Sequence, residues 1–242
     1  MPDLRGFGDS DTPEGTAPYA MPVVTADALS VLDHFEVERA GVVAHDFGGA
    51  VAWSLGAFVP QRVRRMVVMS SPHPLRLRQA ALEDPSQLRR SFYVWLLHAG
   101  REGEELLAAD HFRLLTSWAF AGSRIPDSIV DAYRAAWSEP GRFHAMAGWY
   151  RANYRPSLFD PGREVSLPPV AVATRYLHGE HDAGFVPAAA TGSGEYVTAI
   201  YEEQVVAGVG HWLPHDVPET VAAAVRDWMS GEPVNGSGPA PP

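Results

Sequence analysis

Apolar positions change their spacing several times along the chain, and each change marks an element. In residues 22–37 they recur at helical intervals, with Val24, Ala28, Val31, Leu32 and Phe35 on one face. Thr25 and Asp27 supply cap-region residues for that helix. Residues 40–45, AGVVAH, form a short apolar run that suits a buried strand. Asp46-Phe47-Gly48-Gly49 breaks it, and AVAWSLGAFVP then reads as a buried helix stopping before Pro60. A second short apolar strand spans 62–70, RVRRMVVMS. Helix, strand, sharp turn, helix and strand with short connections predict an α/β fold built on a mostly parallel sheet flanked by helices.

The pattern then changes. Residues 75–165 carry charged, aromatic-rich helical stretches such as QLRRSFYVWLLHAG and RFHAMAGWYRANYR, with no strand-like run between them. They read as an inserted helical cap, or lid. Pro168-Pro169 ends it, the strand pattern resumes at VAVATRYLHGE (170–180), and TAIYEEQVV (198–206) is a further strand. VAAAVRDWM (221–229) closes the core as a helix. The division expected is a core from 1–74 and 166–230, a cap from 75–165, and a Gly/Pro/Ser-rich disordered tail from 231–242. No internal repeat is present.

Composition narrows the choice of function. Lys plus Arg is 19 and Asp plus Glu is 29, a formal net charge of −10. Nucleic-acid and anionic-membrane binders want basic patches, so neither class is favoured. The chain has no Cys, which excludes disulfides, thiolate metal sites and cysteine nucleophiles. No apolar run approaches the roughly 20 residues that span a bilayer. A cytoplasmic protein is expected, and a homodimer is compatible with the sequence.

Candidate chemistry centres on Ala44-His45-Asp46-Phe47-Gly48. A strand that turns sharply into a helix projects its central side chain clear of the sheet, and small residues two before and two after relieve the crowding. Ala44 and Gly48 occupy those places, and Asp46 stands where such elbows usually carry Ser. A carboxylate is ionised at neutral pH and needs no base to attack. It displaces a leaving group at a saturated carbon and leaves an ester on the protein. The competing reading makes Asp46 a simple helix cap. The other candidates weigh against that reading: Asp182 follows the strand at 170–177, and His211 follows the strand at 198–206. Ligands in open α/β sheets sit beyond the carboxyl ends of strands. The order Asp46, Asp182, His211 is that of the nucleophile, acid and His in α/β-hydrolases.

On these residues the chain resembles the epoxide hydrolase group of the α/β-hydrolase fold family, over nearly everything from Pro2 to about Met229. PDLRGFGDSDTP is similar to the loop after that group's fourth strand, AHDFGGAVAW to its elbow, and HGEHD and GHWLPHDVPE to its acid and His segments. The Asp elbow is shared by epoxide hydrolases and haloalkane dehalogenases. Dehalogenases place Trp directly after the nucleophile as a halide donor; here Phe47 offers no ring donor. The resemblance implies two cap tyrosines that protonate the epoxide oxygen, matched by Tyr93 and Tyr150, with Phe92 as an alternative in the place of Tyr93 that would leave Tyr150 as the single acid. It implies a backbone oxyanion donor at Phe47, and among the tryptophans, read as core or pocket-wall residues, Trp95 and Trp149 are expected to line the substrate pocket. It implies an epoxide and water as reactants and no cofactor or metal; the Trp-, Phe-, Leu- and Tyr-rich cap points to a small to medium apolar epoxide, and the acidic balance to no nucleic-acid or membrane partner.

Lone histidine pairs, 178/181 and 211/215, lack a metal motif, and His45 is expected to pack under the elbow. The resemblance further implies that three strands, most of a fourth and an HGxP oxyanion segment precede the start of this chain. On that reading the fold is N-terminally truncated and strand 40–45 becomes a sheet edge. Two alternatives stay open: a haloalkane dehalogenase drawing donors from Trp95 or Trp149, and a catalytically impaired hydrolase-like remnant or binding protein.

Overall fold

The Val-rich runs pair as parallel strands in a computed structural model that describes residues 3–231. Helix α1 (Met21–His34) leads to strand β1 (Ala40–His45), helix α2 (Phe47–Phe58) and strand β2 (Val63–Met69). Six helices follow without a strand among them: α3 (Pro74–Glu83), α4 (Pro85–Arg90), α5 (Phe92–His98), α6 (Arg101–Ala119), α7 (Asp127–Ser138) and α8 (Arg142–Asn153). Strand β3 (Thr174–Gly179), the single turn α9 (Pro187–Ala190), strand β4 (Tyr201–Val206), the turn α10 (Leu213–Asp216) and helix α11 (Pro218–Ser230) complete the order.

The sheet runs β1-β2-β3-β4, all parallel. Its period-2 alternation divides the core in two. Met66 and Val68 pack with α1, α2 and Tyr176 on one face, whereas Val67, Met69 and Leu177 pack with Ala224 and Trp228 of α11 on the other. Both faces of β2 are therefore dry, which is why it reads as a continuous apolar run. Each such side chain contributes about 1.5–3 kcal/mol by leaving water. Register decides what happens at the ends: His45 lies opposite Met69, Met69 opposite Leu177, and Gly179 opposite Val206. The residues that leave the four strands thus emerge along one edge of the sheet. Among the described residues β1 pairs with β2 alone, and its Val43 is 48% exposed. β4 forms the opposite edge and carries Glu202, Glu203 and Gln204, polar side chains that suit an open strand.

Several boundaries differ from the sequence reading. Helix α1 stops at His34, because Phe35 leaves helical geometry and Glu36 turns to φ 54°. The Val37 N–H then closes back on the Leu32 carbonyl at 2.8 Å. Phe35, read as part of the buried face, is 68% exposed. Helix α2 begins at Phe47, three residues earlier than its apolar run. Strands β3 and β4 are shorter than expected, since Val170 and Val197 form only an isolated bridge. The tail read over 231–242 lies, apart from Gly231, outside the described residues.

Helices α5 to α8 build a cluster of their own from Leu97, Leu107, Phe112, Leu115 and Ala147, surrounded by aromatic rings. Helix α6 is broken at Ala109–Phe112, where Asp110, His111 and Phe112 take positive φ. Arg151 of α8 pairs with Glu104 of α6.

Gly49, in the first turn of α2, seats that helix against the end of β2. A methyl group there would collide with the Ser71 side chain and meet Val68 at 3.1 Å. Gly49→Ala is expected to destabilise the fold by about 1–3 kcal/mol. Urea denaturation measures this, and an unchanged midpoint would show that α2 is free to shift.

Candidate active site

Asp46 leaves β1 and opens α2 with φ 52° and ψ −120°. Side chains other than glycine rarely adopt such a φ. Its N–H donates to the Met69 carbonyl at 3.2 Å, and its carbonyl accepts from Gly49 and Ala50. The turn directs the carboxylate outward, 43% exposed, at the edge where the strands end. The crowding anticipated at position 48 falls elsewhere. A methyl on Gly48 would meet only the Ala44 methyl, at 3.8 Å, whereas Gly49 is the tight position.

The loops after β3 and β4 bring two more groups to this edge. His211 Nδ1–H donates to Asp182 Oδ2 at 2.9 Å, and His211 Nε2 faces Asp46 Oδ2 at 3.4 Å. Asp182 is buried and also accepts from the Gly184 N–H at 2.8 Å through Oδ1. Behind it, the Tyr176 hydroxyl donates to His178 Nδ1 at 2.8 Å, and His178 Nε2 lies 3.8 Å from Asp182. His45 stands beside His211 and not beneath the elbow. Its Nε2–H donates to the His211 carbonyl at 2.9 Å, and the two rings lie 4.9 Å apart.

The electrostatics follow from burial and from this pairing. Burial alone would raise the Asp46 carboxyl, but the hydrogen bond and charge of His211, with His45 and the Phe47 N–H, outweigh it and hold it low. Asp182 is likewise held low, against its burial, by the charge and hydrogen bond of His211. Burial would lower His211, yet Asp182 and Asp46 together raise it to about 10. Burial lowers His45, His73 and His178 each to about 4; the nearby carboxylates pull His45 and His178 the other way but are outweighed by burial together with the charge of His211.

Two cavities meet at Asp46. The larger, about 620 Å³, is walled by Phe47, Leu107, Trp118, Trp137, Phe143 and Phe185, with His211 at its floor. The smaller, about 40 Å³, is bounded by Ser71, Leu77, Trp95, Tyr154 and Phe159. Tyr93 of α5 and Tyr150 of α8 border both. Their rings meet edge-on at 5.2 Å. Burial, reinforced by the Asp46 charge, raises both phenols well above their ordinary value.

Trp149 requires a correction. Expected in the pocket wall, it is fully buried and borders neither cavity. Its indole N–H donates to the Arg5 carbonyl at 3.0 Å, and its ring backs Phe47 at 5.2 Å. Helical spacing explains the displacement. Trp149 and Tyr150 are adjacent and point about 100° apart, so one faces the cavity and the other the core. Trp95 does border the smaller cavity, with its N–H on the Leu88 carbonyl at 3.3 Å. The sequence reading missed Tyr154, a buried phenol raised by burial and by the Asp46 charge, and Phe185. Tyr154 lies one helical turn beyond Tyr150, a spacing that could have flagged it.

The model of the alpha/beta hydrolase fold family matches residues 1–218. The chain belongs to that family. It is similar to epoxide hydrolase 3 of Xenopus tropicalis, 30% identical over 235 residues that cover 94% of this chain and 62% of the relative. It is also similar to epoxide hydrolase 4 of Mus musculus, 26% identical over 238 residues that cover 95% of this chain and 65% of the relative. The chain thus spans under two thirds of the length of these curated relatives. Its fold matches the crystal structure of an epoxide hydrolase from Bacillus megaterium in complex with an inhibitor. That match has a TM-score of 0.81 at 21% identity, covering 95% of this chain and 82% of the other. Among the described residues, no helix is long and apolar enough to cross a membrane.

The shifted histidines set the pH dependence of stability. His45, His73 and His178 protonate near 6.5 unfolded and near 4 folded, so the unfolded chain binds more protons between those values and stability rises with pH across them. His211 acts in the opposite sense. Its contribution is complete below 6.5 and fades as pH climbs through about 10. Urea midpoints are expected to peak near pH 6.5, and a midpoint flat from pH 4 to 6.5 would contradict the buried neutral histidines.

Proposed function

We propose that this chain is a hydrolase that opens an epoxide to a vicinal diol through a covalent ester on Asp46. One observation carries the reading: an ionised carboxylate on a strained turn lies between a His–Asp pair and two protonated phenols that border the same apolar cavity. In the first step an Asp46 oxygen attacks one ring carbon and the C–O bond breaks. The departing oxygen takes a proton from the Tyr93–Tyr150 pair. Burial keeps both phenols protonated and therefore available as donors.

In the second step water attacks the ester carbonyl while His211 takes its proton, and the Phe47 N–H stabilises the oxyanion. Collapse expels the ester oxygen, which takes the second proton of the attacking water, so the diol is released, the Asp46 carboxylate is regenerated and His211 is left protonated as at the start. The charge balance supports this order. His211 is raised to about 10 by two carboxylates, which makes it an imidazolium and no base. Esterification removes the charge of Asp46 and leaves Asp182 alone against burial. His211 therefore yields its proton, to the phenolate left by the first step, only once the intermediate exists, when a base is needed.

The helical segment from α3 to α8 serves as the lid, and its aromatic and Leu-rich lining supports an apolar substrate. The dehalogenase alternative is weakened at both indoles considered for it. Trp95 and Trp149 donate to the carbonyls of Leu88 and Arg5, so neither N–H is free for a halide.

Intact mass after trapping tests the reading. With His211→Gln, incubation with styrene oxide is expected to add the whole mass of the epoxide to the protein, and Asp46→Asn is expected to add nothing. A haloalkane that instead leaves its alkyl group would move the assignment to dehalogenase, and a folded variant that gains no mass from either would refute the covalent route. Tyr150→Phe is expected to slow ester formation by about 100-fold or more, read by the same assay over time.

A further inference from the structure

The loop that carries the acid is held from outside the core. After β3 the chain passes through Asp182, Ala183, Gly184, Phe185 and Val186, and no strand pairs with it. Four of its backbone groups are bound by helix α4 instead. Gln87, fully buried, donates from Nε2 to the Gly184 carbonyl at 2.8 Å and accepts the Val186 N–H on Oε1 at 2.9 Å. The one amide thus binds the loop as a neighbouring strand would. Its remaining N–H donates to the Ser91 hydroxyl at 3.2 Å, which fixes the direction of the amide. One helical turn on, Arg90 Nη1 donates to the carbonyl of Asp182 at 2.7 Å and to that of Ala183 at 3.3 Å. Gln87 and Arg90 together hold the backbone of Asp182, Ala183, Gly184 and Val186, and the N–H of Gly184 is the second donor to the Asp182 carboxylate.

From this arrangement we infer that Gln87 and Arg90 are positioning residues for the water-activating step, acting from the helical segment on the acid loop. The inference rests on the covalent reading above. Neither side chain borders the larger cavity or touches Asp46. Their influence runs through Asp182 to the ring orientation of His211. Ester formation needs Asp46 and the phenols, and ester hydrolysis needs His211 held in line. The clamp therefore serves the second step and leaves the first intact. A small displacement of a positioning group costs about 100-fold in rate, so loss of the clamp is expected to slow hydrolysis by about 10- to 100-fold.

The two steps separate in one experiment. The parent chain, Gln87→Leu, Gln87→Glu, Arg90→Ala and His211→Gln are mixed with styrene oxide, and esterified protein and diol are followed by intact mass and chromatography. Gln87→Leu keeps the bulk of the side chain and loses both loop bonds. It is expected to form ester at the parent rate, to accumulate it, and to release diol more slowly. Gln87→Glu retains the acceptor for Val186 and loses the donor to Gly184, so it is expected to fall between parent and Leu. Arg90→Ala, at a partly exposed site, gives the same readout should Gln87→Leu fail to fold. Folded Gln87→Leu and Arg90→Ala chains that show parental ester levels and diol rates, beside a labelled His211→Gln chain, would overturn the clamp alone. Equal slowing of both steps would reduce the two residues to general packing and overturn it as well. A His211→Gln chain that takes up no label would overturn the covalent reading and the clamp's role with it.

Discussion

Asp46 is the point on which the site depends. Its backbone is held at φ 52°, a conformation that costs on the order of 1–3 kcal/mol and persists only where the surroundings over-determine it. Here they do. Strand β1 is locked in register to β2 up to the residue before the turn, the Asp46 N–H is bound to Met69, and the first turn of α2 closes on the Asp46 carbonyl. Gly49 then permits the helix to lie against Ser71. An aspartate in ordinary helix-cap geometry would fold its carboxylate back onto the N–H groups of the first turn. The strained turn instead turns it toward His211, and no side-chain cap bond forms.

Charge is balanced around that carboxylate. Asp46 and Asp182 each stabilise the protonated imidazole of His211, and it stabilises both in return. The three groups form a coupled unit in which the protonation of each depends on the charge of the other two. The surrounding histidines behave differently because nothing anionic is directed at their second nitrogen at hydrogen-bond distance. They remain neutral and act as packing and hydrogen-bonding groups. His45 fixes the His211 backbone, and His178 lies against the far side of Asp182.

The helical segment contributes to the site in two distinct ways. Helices α5 and α8 lower two phenols toward the carboxylate from above, and their ring contact fixes the pair. Helix α4 reaches the core from the side and replaces a missing strand partner for the loop after β3. An insertion that covers a sheet edge thereby also sets the geometry along it.

Much of the site was legible in the chain itself. Short Val-rich runs, spaced by helices, require a parallel sheet, because such strands can be buried on both faces only if helices cover them. The elbow at Asp46 and the acid and His after later strands follow from that order, since parallel register brings all strand ends to one edge. Tyr93 and Tyr150 were singled out through a resemblance, and their ring contact was not readable from either position. Three features were decided only by tertiary structure. The side on which Trp149 falls depends on how α8 is rotated against the core. The partners of Gln87 and Arg90 in the acid loop lie more than ninety residues away in sequence, and local pattern carries no information about such contacts. The protonation of His211 depends on two carboxylates that become neighbours only when β1, β3 and β4 are aligned. Sequence determines which groups a strand end can present; packing determines which of them meet.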